Sequence, residues 1–341
     1  MIRFDCDYLE GAHPKILKRL VETNYIQQAG YSKDEYTKSA IEKIKKSLNN
    51  DNVDIHILTG GTQTNMVAIS SALRSYQGII CADTGHINVH ETGAIESLGN
   101  KIITIENEFG KINANQIEKI VKEHYQEDAP EHMVMPKLVF ITLPTECGTN
   151  YTKSEVEEIY NVCKKYDMYL YIDGARLGYG LCAKDTDIIF EDLPNICDFF
   201  YIGGTKCGAM FGEALVIVND KLKKDFRYYI KQKGALLAKG RLLGIQFDTL
   251  FTNDLYFSIC RQAVELSLKL KNAFIEKGYK LAYNSFTNQQ FIIMSKEKYN
   301  KLSDKFVFFK WKNIDDENLI VRICISWATS QENVDELIDN L

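Results

Sequence analysis

The sequence predicts an α/β protein with a mostly parallel sheet and a smaller α+β region behind it, and three observations carry that prediction. Apolar runs of strand length recur between residues 53 and 218, amphipathic stretches separate several of them, and the texture changes after about residue 235. The first run, VDIHIL (53–58), places Val53, Ile55 and Ile57 in strand period, and Met66, Ile69, Ser70 and Leu73 follow at helical spacing. GIICAD (78–83), KIITIE (101–106), KLVFITL (137–143), MYLYID (168–173), DFFYI (198–202) and EALVIV (213–218) continue the series. Ile117, Ile120, Val121 and Tyr125, and later Val156, Tyr160 and Cys163, mark helices between them. Short apolar strands alternating with amphipathic helices build a parallel sheet covered by helices. A long helical region, roughly 242 to 277, then precedes three strand candidates, FIIMS, KFVFFKW and LIVRICISW. The expected division is residues 1–20 as a segment associated with the small domain, 21–240 as the large domain and 241–341 as the small one.

At 341 residues the chain is long enough for about two domains with a sizeable core. Its 41 basic and 46 acidic residues are interspersed and leave a formal charge of −5, so no polyanion such as nucleic acid is an expected partner. The nine cysteines are an odd count without C-x-x-C spacing, which reads as reduced thiols and suggests neither a zinc site nor a disulfide framework. The opening MIRFDCDYLEGAHP has acids where a signal peptide needs a basic then an apolar region, and no run approaches the ~18 apolar residues of a membrane span. A cytoplasmic protein without a membrane or metal partner is therefore expected.

Three constellations carry chemistry. TGGTQTN (59–65) lies between the first strand and its helix, where two glycines allow a tight turn and the free N–H groups of the first helical turn can hold an anion such as a phosphate. It lacks both G-K-[ST] and G-x-G-x-x-G, so ATP and NAD are not favoured; read alone, it is equally a turn with Thr62 as N-cap. MYLYIDGARLGYG sets Asp173 and Arg176 at the carboxyl end of an apolar strand, the edge where open α/β sheets place ligands. In DFFYIGGTKCGAMFGEALVIV, Lys206 follows another strand end among Gly203, Gly204, Gly208, Ala209 and Gly212. Nothing there is built to solvate its stem, and a lysine amine whose pKa is lowered by burial attacks carbonyls. A phosphate seat, a carboxylate and a lysine, each at a strand end, are the groups pyridoxal phosphate needs: an anchor, a partner for its ring nitrogen and a holder for its aldehyde.

With these groups in that order, the sequence resembles the fold-type-I pyridoxal-phosphate enzymes of the threonine aldolase and β-eliminating lyase family. The resemblance runs over most of the chain, through EGAHPKIL, GYSKDEYT, GGTQTN, GHINVHETGA, YIDGAR, YIGGTKCG and VRICISWAT. It implies a seven-stranded, aspartate-aminotransferase-like sheet with helices on both faces. By resemblance Gly61, Thr62 and Gln63 bind the phosphate, His86 stacks on the ring, Asp173 meets the pyridine nitrogen and Lys206 is the Schiff-base residue. Ala175 and Thr205 belong to the same cofactor site, and Glu91 resembles a family acid near it. Arg176 and Arg322 are similar to two arginines that grip the substrate carboxylate, with Cys6 where family members commonly have a serine. In LPTECGTNY (143–151) the histidine many members carry is absent, leaving Glu146, His86, His13 or a water to take the proton of a substrate hydroxyl. The family builds its sites at subunit interfaces, so Lys239 or Arg241 is expected to reach a neighbour's phosphate within a homodimer or homotetramer. The implied reaction is retro-aldol cleavage of L-threonine or L-allo-threonine to glycine and acetaldehyde, the alternatives being β-elimination, transamination or a silent relative that only binds.

Overall fold

The computed structural model describes all 341 residues. Seven strands form the central sheet: β1 (Asp54–Leu58), β2 (Gln77–Ala82), β3 (Lys101–Ile105), β4 (Met135–Thr142), β5 (Tyr169–Asp173), β6 (Phe199–Gly203) and β7 (Glu213–Ile217). Their spatial order is β1-β7-β6-β5-β4-β2-β3, and only β7 runs antiparallel to its neighbours. Alternate residues of one strand enter two separate apolar clusters, Ile172 on one side and Tyr171 on the other, or Phe200 and Phe199. Burial on both faces explains why these strands read as continuous apolar runs. One direction shared by six strands puts Leu58, Ala82, Thr142, Asp173 and Gly203 at one edge, where the first residue of β7, Glu213, joins them.

Helices α1 (Pro14–Thr23), α2 (Glu35–Ser47), α3 (Gly61–Ala72), α4 (Ala114–Gln126) and α5 (Lys153–Lys165) belong to this part. Capping boxes start α4 (Asn113 with Gln116) and α5 (Thr152 with Glu155). No side chain caps α3, whose N-cap is Gly60 rather than Thr62. Its first N–H groups are left for something else.

The long helical region divides into α6 (Arg241–Leu250) and α7 (Leu255–Glu276). Asn253 and Asp254 between them adopt positive φ of 54° and 56°, a conformation Asn and Asp tolerate better than most residues. The break lets α6 pack on α1 and α2 while α7 supports the C-terminal sheet. That sheet contains β8 (Lys280–Tyr283), β9 (Gln289–Ser295), β10 (Phe309–Asn313) and β11 (Asn318–Cys324) in the antiparallel order β10-β11-β9-β8, with a last helix, α8 (Gln331–Asn340), behind α7. The run KFVFFKW splits because its halves serve different partners: Phe306–Val307 pairs with Ile2–Arg3, and β10 pairs with β11. Pairing of the N-terminus here, continued by the bond from the Cys324 N–H to the Phe4 carbonyl (2.8 Å), carries Asp5, Cys6 and Asp7 to the mouth of the sheet edge.

Candidate active site

The cavity at that edge is lined by Gly60, Gly61, Thr62, His86, Thr142, Glu146, Asp173, Ala175, Arg176, Tyr201, Thr205, Lys206 and Glu213. It continues outward into a compartment walled by Tyr8, His90, Phe309, Trp311 and Arg322, with His86, Glu146, Arg176 and Lys206 shared by both halves. The ends of β5 and β6 meet so closely that a Cβ on Gly174 would lie 1.9 Å from the Tyr201 carbonyl oxygen, and one on Gly203 2.2 Å from that of Ala175. Glycine at both positions is what lets Asp173 and Lys206 face one space.

Asp173 is 1% exposed. Its Oδ1 accepts the Ala175 N–H at 2.9 Å, whereas Oδ2 has only a long contact (3.4 Å) from Asn65 Nδ2 and stays open to a cationic partner. Asn65 in turn donates to Glu91 at 2.7 Å and accepts from the Tyr171 hydroxyl at 2.9 Å. Glu91 also holds His86 Nδ1 at 2.8 Å, which fixes the ring at the cavity wall and turns Nε2 away from Glu91. Glu91 thus meets the cavity wall through His86 and Asn65. The Lys206 amine has no ion-pair partner, and burial, with Arg176 nearby, lowers its pKa below the ordinary lysine value. Asp7, Asp173 and Glu213 pull the other way. A half-buried lysine that gives up its proton more readily than an exposed one is the better nucleophile.

Glu146 lies in both compartments. Its Oε1 accepts the His86 backbone N–H at 2.9 Å and the Thr142 hydroxyl at 2.7 Å, and burial, with Asp173 adding, raises its pKa above the usual carboxylate range. A carboxylate so raised exchanges a proton closer to neutrality than an exposed one. His13, the other open alternative, caps α1 by accepting the Lys15 N–H at 3.2 Å and does not line the cavity.

Arg176 departs from expectation. Its Nε and Nη2 bind both oxygens of Asp7, at 2.6 and 2.9 Å, and Asp7 is fully buried and also accepts from Asn288 at 3.0 Å. The guanidinium beside it holds the Asp7 carboxyl at about 2 despite burial. The Nε/Nη2 side of the fork expected for a substrate is thus taken by the protein, and the two N–H groups of Nη1 and one of Nη2 remain. Arg322 spends one N–H on the Asp5 carbonyl (3.1 Å), while its buried Nε has no partner, and its guanidinium lies 4.4 Å from the centre of the Phe309 ring and 5.6 Å from that of Trp311. Cys6 lines neither compartment.

The remaining expected residues divide. Gly61 and Thr62 border the cavity; the Gln63 side chain accepts from the Thr59 hydroxyl and reaches the Lys233 carbonyl (3.4 Å), leaving only its backbone N–H for an anion. Thr205 borders the cavity too, but its hydroxyl is bound to Glu213 at 2.8 Å. Lys239 is exposed and lines no part of its own chain's cavity. Arg241 donates within the chain to the carbonyls of Thr23 (2.6 Å) and Ile26 and lies over the Tyr36 ring, and like Lys239 it lines no part of its own chain's cavity. Asp7, Asn65, Tyr201 and Glu213 escaped the sequence reading. Glu213 stood inside the quoted EALVIV run, where a charged first residue in a buried strand was the available signal.

The donor set fits pyridoxal phosphate. An uncapped helix start, a buried carboxylate with one open oxygen and a half-buried amine without an ion-pair partner each lack a partner that this cofactor carries.

Comparison with known proteins gives the same picture. The family model described as "Beta-eliminating lyase" matches residues 15–298. A low specificity L-threonine aldolase from a Pseudomonas species is 28% identical over 98% of this chain and 95% of its own length. The solved structure of a threonine aldolase from Leishmania major is 41% identical, with a TM-score of 0.96 over 99% of this chain and 98% of that one. A histidinol-phosphate aminotransferase from Clostridium acetobutylicum, 14% identical, shares the fold at a TM-score of 0.75, covering 100% of this chain and 98% of its own. By its own family match and by its likeness to a threonine aldolase along its whole length, the chain belongs to the β-eliminating lyase family, the lyases of pyridoxal-phosphate fold type I.

Proposed function

We propose that this enzyme binds pyridoxal phosphate and cleaves a β-hydroxy amino acid, L-threonine or L-allo-threonine, into glycine and acetaldehyde. The observation that carries the reading is the convergence of Lys206, Asp173, His86, Glu146 and Arg322 on one cavity that begins at an uncapped helix. When bound, the cofactor would supply an electron sink for the carbanion left by bond cleavage. The N–H groups of Gly61, Thr62 and Gln63 would take its phosphate, Asp173 Oδ2 its ring nitrogen, Lys206 its aldehyde, and His86 would cover one ring face.

The chain's own groups then divide the work. Arg322, with Nε and Nη1 uncommitted, receives the substrate carboxylate, and Arg176 adds the N–H groups of its Nη1 end that Asp7 leaves open. Glu146 takes the proton from the side-chain hydroxyl, which makes that carbon a carbonyl as the bond to the next carbon breaks. Substituting Glu146 by Gln keeps the bonds from His86 N–H and Thr142 acceptable to an amide oxygen but removes the base. A kcat lower by roughly 10²- to 10⁴-fold is expected, with cofactor affinity unchanged; an unaltered kcat would give the role to His86 or water. Lys239 of a second copy is the cation we assign to the phosphate, which requires at least a homodimer.

Separate measurement of acetaldehyde, glycine, ammonia and keto acid from each substrate tests the reaction. Equal acetaldehyde and glycine support it, whereas ammonia with a keto acid moves the chain to β-elimination.

A further inference from the structure

Glu213 is 4% exposed and is the one cavity carboxylate the reaction leaves unused. As the first residue of β7 it pairs with Leu58 of β1 on one side and with Gly203 of β6 on the other. It therefore sits between the two turns that form the anion seat, Thr59 to Thr62 and Gly204 to Lys206. Oε2 accepts the Gly204 N–H at 2.9 Å and Oε1 accepts the Thr205 hydroxyl at 2.8 Å. The Thr205 oxygen already receives the Gly212 N–H at 3.0 Å. A hydroxyl has one hydrogen, and Thr205 spends it on Glu213. No cation of this chain forms an ion pair with Glu213.

Two consequences follow for a dianion at the start of α3. An ionised Glu213 repels it across a buried space, where screening is weak. Thr205, aimed at Glu213, also offers it no hydrogen. A single proton on Oε1 removes both obstacles, because a carboxylic acid donates: Glu213 then gives its hydrogen to Thr205, whose second lone pair is free to accept, and the Thr205 O–H turns to the anion. We propose that Glu213 is a proton-linked positioning residue of the phosphate seat, taking up one proton from solvent as a phosphate dianion enters and releasing the Thr205 hydroxyl to it. The inference rests on the reading of this helix start as the cofactor's phosphate site.

The surroundings support an easily acquired proton. Burial pushes the Glu213 carboxyl up to about 7; the Thr205 and Gly204 bonds and Lys206 oppose that, while Asp173 adds to it. Tyr201 of β6 and Tyr171 of β5, whose own pKa values Glu213 helps to raise, are the other titratable groups facing it. The first turn of α3 contributes no charged side chain. An approaching dianion raises the Glu213 value further, so proton uptake grows as the pH rises above about 7 and vanishes well below it.

The test is calorimetric titration of the full chain, freed of cofactor, with inorganic sulfate, a dianion that does not itself titrate near neutrality. Repeating it in buffers of different ionisation enthalpy counts the protons. At pH 8 the wild type should take up close to one proton per sulfate, and its Kd should rise up to about tenfold per pH unit above 7. Glu213→Gln, an amide that can donate to Thr205 as the protonated acid does, should show no uptake, a flat pH profile and at least tenfold tighter binding at pH 8. Lys206→Ala should keep the uptake, since Lys206 is the other group a sulfate could protonate. Uptake that persists in Glu213→Gln or is lost in Lys206→Ala overturns the inference. So does sulfate binding by the wild type with no uptake, even where pyridoxal phosphate still gives a visible absorption band. No sulfate binding and no such band defeats the reading of the seat itself.

Discussion

Lys206→Ala is expected to leave a folded protein with no measurable turnover. The amine lines the cavity at the sheet edge without an ion-pair partner, and a methyl group cannot hold an aldehyde. Loss of a nucleophile in comparable enzymes costs on the order of 10⁴-fold or more in kcat. Folding should survive, because burial disfavours the charged lysine and the substitution removes that cost. The variant's thermal midpoint is accordingly expected at or above that of the wild type. Borohydride reduction with pyridoxal phosphate followed by peptide mapping supplies the second readout: label on the peptide containing Lys206 in the wild type, and none in the variant. Label on another lysine, or turnover within tenfold of the wild type, would remove Lys206 from its assigned role.

The second large effect is on stability. Asp7→Ala strips the buried Arg176 guanidinium of both its acceptors. Breaking one side of a buried pair leaves an uncompensated charge and costs about 3–5 kcal/mol, which for an ordinary domain is a large part of the total. The pH dependence distinguishes this from a packing defect. Asp7 has a folded pKa of about 2 against an ordinary value near 4, so its contribution is present above about pH 4 and is lost as the pH falls from there through 2. The gap in denaturation midpoint between wild type and variant should be full at pH 7 and narrow progressively below pH 4. A gap that stays constant down to pH 2 would mean that the ion pair is not what Asp7 provides. KM for the amino acid should rise as well, since Arg176 borders the compartment of Arg322.

Much of the fold was legible because the chain repeats one physical solution. Strands covered on both faces have to be apolar throughout, so the runs at 137–143 and 198–202 announce themselves. Helices that cover them show the 3.6-residue period, as Ile117 and Val121 do. The small domain was less legible for the same reason in reverse: β10 has one half-buried and four exposed residues, and β8 has none that is fully buried. A weak apolar pattern cannot fix a boundary. The break at Asn253 and Asp254 was likewise hidden, since α6 and α7 are both apolar and differ only in what they pack against.

For the site, a residue could be read when its neighbours in sequence explained it. Lys206 among glycines, Asp173 at a strand end and the paired glycines of the turn before α3 are local arrangements, and three such signals in order were enough to indicate pyridoxal-phosphate chemistry. The sequence by itself thus determined the sheet, the edge that carries the site and the class of chemistry. What only the tertiary structure decided is which groups remain free to act. Asp7 meets Arg176 across 169 residues of chain, because the pairing of Ile2–Arg3 with Phe306–Val307 brings the N-terminus there, and this turns an expected substrate fork into an internal ion pair. Glu213 meets Thr205 because β7 runs against its neighbours and so presents its first residue where the other strands present their last. Hydrogen-bond partners and buried charges are satisfied through space, and local sequence holds no record of which pairs the chain closes.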